Sequence, residues 1–346
     1  MPDFHQPGPV ISLPLIRDGD GAALERDIAD WAVQRPLALL LPCHVRDLES
    51  PALAGIMHTI AGIPWISRIL LGLDGADAAQ ARRAAEICAP AGARCEVIWH
   101  GPGESQGKGL NLARLAEKLT RYHDIFAAAM HDCDVRTYSR GFLARLCWPV
   151  LHPVAGMVAC KGYYARATDK LHGRVFRLMF QPLLRAAVEV LGPLPWLQFL
   201  QSLRYPLSGE LCLRTDVLRQ LSFDSGWGVE IMLLHGLFQS AASGTICQAE
   251  LCPSYDHKHQ EPADLARMAH SVAGTFLRTL PMESPAAIIS AFEACVQRAL
   301  REAELTASMN DLAFDPNAES ALANQFTLAI IEASHLTPPG ASAELP

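Results

Sequence analysis

Short apolar runs, each followed by a helical pattern, recur through the first 130 residues, and this alternation constrains the fold more than any other feature of the chain. Leu37 to Pro42 (LALLLP) is a continuous apolar run that reads as a buried strand closed by Pro42. A helical segment follows around residues 51–60. Ile66 to Leu73 (ISRILLGL) reads as a second strand ending at Asp74-Gly75, with an Ala-rich helix over 77–89 behind it. Cys95 to His100 predicts a third strand, residues 109–122 an amphipathic helix, and Ile125 to Met130 a fourth strand. Strands alternating with helices imply a mostly parallel sheet covered on both faces. In such sheets ligands bind beyond the carboxyl ends of the strands, which directs attention to Pro42-Cys43-His44, Asp74-Gly75 and His131-Asp132-Cys133-Asp134.

The second half changes character. Met157 to Tyr164 predicts another strand, and 174–203 a long helical stretch rich in Leu, Pro and Phe. Leu207 to Arg214 and Thr245 to Cys252 read as strands flanking a helix that begins near Gly228. From about Ala263 the pattern is helical, with an amphipathic stretch over 285–305, and the last ten residues predict a mobile tail. The expected organisation is a helical lead-in over 1–35, a catalytic domain over 36–260, a helical region over 261–336 and the tail over 337–346.

Half of the 346 residues are hydrophobic and 19% are charged, which fits a compact enzyme and excludes a disordered chain. A net charge of −7 gives no support for non-specific nucleic-acid binding. An anionic substrate would therefore need local Lys, Arg or metal charge. The ten cysteines include no CxxC pair and sit mostly in apolar stretches, so they read as reduced thiols. The N-terminus has no signal-peptide pattern, and no run approaches the ~20 apolar residues that span a bilayer. The expectation is a soluble cytoplasmic enzyme.

Asp132-Cys133-Asp134 carries the strongest chemical signal. Two carboxylates one residue apart on an extended chain project to the same side. Their repulsion at a strand end favours a cation between them, and hard oxygen ligands suit Mg²⁺ or Mn²⁺. The competing reading is an exposed turn with two solvated acids. Lys108, flanked by Gly107 and Gly109 at a helix start, fits close approach to an anion, although the Walker A spacing is absent. Tyr255-Asp256-His257-Lys258-His259 offers an imidazole to complete a metal shell, or is a surface loop. Glu230 falls in the first turn of a helix, where its charge is favourable. Arg174 could meet a phosphate or carboxylate, or be an ordinary first-turn arginine. Glu210, in a strand-like stretch, wants a polar partner.

Taken in order, these pieces resemble the glucosyl-3-phosphoglycerate synthases, retaining glycosyltransferases of GT-A fold, and more distantly the mannosylglycerate synthases. The matching elements are Gly107-Lys108-Gly109, Asp132 to Asp134, Lys161-Gly162-Tyr163-Tyr164, Gly173-Arg174-Val175 leading to Gln181-Pro182-Leu183-Leu184, Pro206 to Glu210, Gly228 to Ile231, and His257 to Gln260. The likeness spans about residues 36–280. It implies a GT-A-type nucleotide-binding mixed sheet flanked by helices, with a helical C-terminal extension. It also implies transfer of a hexose from a nucleotide diphosphate sugar, UDP-glucose above all, to a small anionic acceptor such as 3-phosphoglycerate, with Mg²⁺ or Mn²⁺ as cofactor and a homodimer as the working form.

Residue by residue, the resemblance puts the metal on Asp134 with His257, His259 being the other choice. Pro42, Cys43 and His44 would line the uridine pocket, with Asp74 near the base or ribose. Asp132, with Cys133 beside it, would contact the sugar or ribose side of the donor, and Lys108 its diphosphate. Gly209 and Glu230 would face the transferred sugar, and Arg174 with Lys161 the acceptor. Asp134, Glu230 and Lys108 are the residues expected to carry catalysis.

Two departures stand out. The first strand of the family usually ends in a sequence like PALNE, and here it reads Pro42-Cys43-His44-Val45-Arg46-Asp47. The family usually has Thr after Gly-Arg-Val, and here the residue is Phe176. The open alternatives are a glycosyltransferase using glycerate, another acceptor or a GDP-sugar, and a non-catalytic nucleotide-sugar-binding module.

Overall fold

The computed structural model describes residues 8–17, 19, 21–103, 106–242, 244–257, 262–282 and 284–335. The expected tail over 337–346 and the alternative ligand His259 lie outside the described residues.

In chain order the first half runs β1 (Ile11–Leu13), α1 (Ala22–Ala32), β2 (Leu37–His44), α2 (Pro51–Ala61), β3 (Ile66–Asp74), α3 (Ala78–Cys88), β4 (Cys95–Trp99), α4 (Lys108–Leu119), β5 (Ala127–Met130) and α5 (Arg140–Leu151). The second half adds β6 (Ala159–Tyr164), a π-helical turn over Phe176–Phe180 that runs into α6 (Gln181–Leu191), α7 (Pro195–Ser202), β7 (Leu211–Arg214) and the short α8 (Thr215–Leu218). It ends with α9 (Val229–Ser240), β8 (Ile246–Cys252), α10 (Pro262–Arg278), α11 (Ala286–Met309) and α12 (Pro316–His335). No helix among the described residues is long and apolar enough to cross a membrane.

Among the described residues the strands form one eight-stranded sheet in the order β1-β8-β6-β7-β5-β2-β3-β4. Only β7 runs against its neighbours β5 and β6; the other pairings are parallel. The sheet is therefore mixed, and two cores lie on its faces. Because side chains alternate along a strand, Leu37, Leu39 and Leu41 pack with Ile28, Ile56 and Phe142 on one face. Ala38 and Leu40 join Leu112, Leu115 and Leu183 on the other. Both faces of β2 are dry, which is why its sequence is apolar without a break.

Three expectations are corrected. β2 does not stop at Pro42 but continues to His44. Its pairing with β5 ends at Leu40, so a residue lacking an N–H falls where one side of the strand has no ladder to keep. The stretch 174–203 is not one helix: it breaks at Gly192 (φ 77°), which precedes Pro193. Leu207 to Glu210 is not strand but a tight turn ahead of β7. The lead-in also holds β1, which extends the sheet beside β8.

Candidate active site

The carboxyl ends of β2, β3 and β5 and the start of α4 meet at one end of the sheet. Asn111, one turn into α4, holds this corner together. Its buried amide donates to the Cys43 carbonyl (3.3 Å) and the Gly72 carbonyl (2.8 Å), and its oxygen lies 2.9 Å from His100 Nε2. Gly72 has no side chain for a specific reason: a Cβ there would come within 2.0 Å of the Asn111 oxygen. Asp74 closes the same corner. Its buried carboxylate accepts from the backbone N–H groups of Gln106 (3.1 and 3.0 Å) and Gly107 (3.1 Å), fixing the loop that delivers Lys108. Cys43 and Cys133 are buried. His44 caps the turn after β2, its Nδ1 accepting from the Arg46 N–H (3.1 Å).

The glycines around Lys108 are required by close approach. Gly107 sits at φ 99°, and a Cβ on Gly109 would lie 1.7 Å from the Asp224 carbonyl oxygen. The start of α4 thus presses against the segment leading into α9, and Lys108 meets Glu230 across that seam. The Lys108 ammonium lies 2.5 Å from Asp132 Oδ1 and 2.7 Å from Glu230 Oε1, bridging an acid just past β5 and one in α9. Burial alone would depress the lysine, but the two carboxylates more than offset it and hold its pKa above the ordinary range. Asp132 is pushed up by burial and pulled down further by Lys108, so it stays ionised below the ordinary carboxylate range. Gly209 lies against the same group, since a Cβ there would come within 2.7 Å of Asp132 Oδ2.

Asp134 and His257 are brought together from positions 123 residues apart in the chain. Val135 bridges to His257 in antiparallel fashion, and the Arg136 N–H donates to the Asp256 carbonyl at 2.9 Å. This short ladder sets His257 Nδ1 3.2 Å from Asp134 Oδ2. The other oxygen, Oδ1, is buried and accepts no hydrogen bond among the described residues. A carboxylate with a buried unused lone pair beside an imidazole fits a divalent ion such as Mg²⁺ or Mn²⁺. No group of three or more His, Cys, Asp or Glu among the described residues is placed to hold a metal by itself. The remaining ligands would be water or phosphate oxygens, which hard cations accept readily.

Beneath this surface lies a second buried group. Glu210 accepts from Tyr164 Oη (2.6 Å) and Tyr255 Oη (2.9 Å), whose rings stack at 3.7 Å and 4°. Burial raises the Glu210 pKa. Lys161, expected near the acceptor, is buried, donates to the Ser208 carbonyl, and lines a cavity of about 10 Å³ with Gly209, Glu230 and Met130. Burial lowers its pKa to about 8. Arg174 lies outside this group and is tied to Glu319 of α12 at 2.9 Å. Asn111 and Glu319 were not singled out from sequence, nor was Arg166, which donates to Tyr205 Oη at 2.8 Å. Tyr164 and Tyr255 were quoted only as members of the Lys161 to Tyr164 motif and of the Tyr255 to His259 cluster, with no role of their own.

No protein-family model matches the chain. It is 32% identical over 347 residues to a glucosyl-3-phosphoglycerate synthase of Persephonella marina, covering 92% of this chain and 86% of that one. A glucosyl-3-phosphoglycerate synthase of Methanococcoides burtonii is 28% identical over 284 residues, or 75% and 70% of the two chains. Among solved structures, glucosyl-3-phosphoglycerate synthase of Mycobacterium tuberculosis in complex with phosphoglyceric acid superposes with a TM-score of 0.61 at 22% identity, covering 78% of this chain and 87% of that one. The same enzyme with Mn²⁺, UDP-glucose and phosphoglyceric acid gives 0.60 at 23%, covering 78% and 86%. The solved structures establish the shared GT-A-type fold. The identity to the Persephonella marina protein, sustained over nearly the whole chain, shows that this chain belongs to the glucosyl-3-phosphoglycerate synthase family of glycosyltransferases.

Proposed function

We propose that this protein transfers glucose from UDP-glucose to the hydroxyl of 3-phosphoglycerate, with retention at the anomeric carbon and with Mg²⁺ or Mn²⁺ required. The observation that supports this most is the Lys108–Asp132–Glu230 bridge set beside Asp134 and His257 at the carboxyl ends of the strands. Relatives named for this reaction cover most of the chain. The Mycobacterium tuberculosis structures hold Mn²⁺ with UDP-glucose and phosphoglyceric acid, or Mg²⁺ with UDP.

In this reading Asp134 and His257 hold the cation, which when bound would neutralise charge on the departing diphosphate. Lys108 acts as a fixed positive charge. Held between two carboxylates, it keeps its proton at neutral pH and cannot serve as a base. It therefore stabilises charge at the diphosphate electrostatically. Glu230, already committed to Lys108, orients sugar hydroxyls rather than forming a covalent bond. Asp132 accepts from the donor on the side facing Gly209. Pro42, Cys43 and His44 border the nucleoside, and Asn111 and Asp74 hold that border and the Lys108 loop in place. Arg174 meets the acceptor anion, and the protein works as a cytoplasmic homodimer.

One observation favours a second reading of the acceptor. Phe176 packs edge-on against Tyr205 with ring centroids 4.9 Å apart, so it contributes an aromatic wall where relatives usually have a hydroxyl. A smaller or less charged acceptor such as glycerate would suit that wall. The test is turnover of UDP-glucose and GDP-mannose against 3-phosphoglycerate, glycerate and no acceptor, with Mn²⁺ and then with EDTA. Metal-dependent transfer to 3-phosphoglycerate supports the full reading. Metal-dependent transfer to glycerate alone moves the acceptor and keeps the chemistry. No transfer with any pair, from folded protein, sinks the enzymatic reading.

A further inference from the structure

The helix α12 carries its buried residues at Glu319, Leu322, Ala323, Phe326, Ala329, Ile330 and Ala333. These follow the three- and four-residue steps of a core-facing stripe, and the first of them is a carboxylate only 4% exposed. A charge in such a position is costly unless paired. Glu319 Oε1 accepts from Arg174 Nε at 2.9 Å, and Oε2 lies 2.5 Å from Arg177 Nη2. We propose that Glu319 is a positioning residue for the acceptor site, gripping Arg174 by one edge so that its terminal nitrogens are aimed at the acceptor anion. The proposal rests on the reading of Arg174 as the acceptor-binding residue.

The two arginines play unequal parts. Arg177, in the π-helical turn, is 15% exposed, and its Nε donates to the His172 carbonyl at 3.2 Å, so it ties that turn to the interior of the loop before Arg174. It needs Glu319 to offset its burial. Arg174 is 34% exposed and has no such need, because solvent reaches it. Glu319 nevertheless spends its better-directed hydrogen bond on Arg174. Among the described residues the Arg174 side chain makes no other hydrogen bond, so Nη1 and Nη2 remain for a ligand. A guanidinium held at Nε has lost its terminal rotation, which turns a flexible cation into an oriented two-donor fork. The chain ahead of α12 holds the same loop at a second point. Ala313 bridges to Lys170 in parallel fashion, and its N–H donates to the Asp169 carbonyl at 2.8 Å. The C-terminal helices thus set the height and the direction of the loop that carries Arg174.

The test uses the full-length protein, with initial rates measured against 3-phosphoglycerate at saturating UDP-glucose and Mn²⁺. Glu319→Ala is expected to raise the acceptor KM about tenfold, the change produced by losing one well-directed charged hydrogen bond. The donor KM and kcat should stay close to wild type. Glu319→Gln keeps an oxygen facing Arg174 Nε and should recover most of the acceptor KM. Should Glu319→Ala fail to fold, Glu319→Asp keeps the charge, shortens the reach, and should raise the acceptor KM alone. A folded Ala or Asp variant with unchanged or lower acceptor KM overturns the proposal. So does a parallel loss in donor and acceptor parameters, which marks a merely structural role. Wild-type protein that shows no saturable use of 3-phosphoglycerate defeats the underlying reading instead, a result distinguishable before any variant is made.

Discussion

Replacing Lys108 with Met removes one charge from the centre of the site while keeping most of the side-chain volume. The ammonium lies 2.5 and 2.7 Å from the oxygens of Asp132 and Glu230, with side chains 12%, 32% and 10% exposed for Lys108, Asp132 and Glu230. Two oxygens that share one nitrogen this closely fall within the ~4–6 Å at which like charges resist ionisation together. The variant would leave both carboxylates without their cation in a mostly dry setting, at a cost of about 3–5 kcal/mol. With an unfolding entropy of about 2.1 cal/mol/K per residue over 346 residues, that lowers Tm by roughly 4–7 °C.

The sign with pH separates this cause from general damage. In the wild type, Lys108 keeps the Asp132 pKa below its ordinary value despite burial, so this contribution is present above the unfolded pKa of ~4 and fades as pH falls through the folded value. In the variant, burial and Glu230 act without opposition, and the folded state gains by taking up a proton. The Tm deficit should therefore shrink between pH 8 and pH 5. The assay is thermal unfolding of metal-free and nucleotide-free protein at both pH values, beside UDP release at pH 8. Loss of the fixed charge should lower kcat by about 10²–10³. An unchanged Tm, or a deficit equal at the two pH values, would refute the bridge as the source of stability. Near-normal kcat would remove Lys108 from the electrostatic role.

Asp134→Asn should abolish turnover and Mn²⁺ binding, read by calorimetric titration, with Tm altered by less than the Lys108 variant; retained turnover removes the metal assignment. Gly109→Ala forces a Cβ to within 1.7 Å of the Asp224 carbonyl oxygen, so the α4–α9 seam must open. We expect a loss of about 1–3 kcal/mol with a fall in kcat as Lys108 is displaced, measured by denaturant unfolding and UDP release. His131 is buried, with Nδ1 2.9 Å from the Asp132 carbonyl and Nε2 3.1 Å from Tyr138 Oη, and burial lowers its pKa to about 4. The unfolded chain takes up this proton near pH 6.5 and the folded chain does not, so up to about 3 kcal/mol of stability is lost as pH falls from ~6.5 to ~4. Unfolding curves of His131→Gln should lack that part of the pH dependence.

What the sequence made legible follows the range of the interactions involved. β2, β3 and β5 could be read because strands dry on both faces are continuous apolar runs, Asp132 and Asp134 because they stand just past such a run, and Lys108 because glycines flank it at a helix start. β1 escaped notice because it is three residues long with only its middle side chain buried, leaving no period to detect. The turn over Leu207 to Glu210 looked like strand because Gly209 and Ser208 are fixed by distant groups, the Asp132 carboxylate and the Lys161 ammonium, rather than by neighbours in sequence. The break at Gly192-Pro193 was signalled locally and outweighed by the Leu-rich pattern around it. Glu319 reads as an ordinary first-turn acid of α12, because its partner Arg174 lies 145 residues away. Tyr164 and Tyr255 share one carboxylate from separate strand ends, and only the folded sheet places them against each other.

The electrostatics of the end of the sheet explain why these distant groups matter together. Asp132, Asp134, Glu210 and Glu230 bring four carboxylates to the region, and Lys108 and Lys161 bring two ammoniums. Burial raises the Glu210 pKa and the tyrosine hydroxyls donate to it, but Asp132 stays ionised and Glu230 is paired. The surface that a nucleotide diphosphate would approach is thus acidic, on a protein whose net charge is already −7. A diphosphate entering alone would meet like charge at close range, where Coulomb energies near a protein surface run to several kcal/mol. Lys108 cannot correct this by itself, because its positive charge is already matched by two acids. Among the described residues a buried lone pair on Asp134 Oδ1 accepts no hydrogen bond, and in the proposed reading an added cation would sit against it. In the proposed reaction a divalent ion held by Asp134 and His257 would therefore do more than assist departure of the diphosphate. It would offset the acidic charge that these carboxylates bring, so that the donor and the ion would bind together.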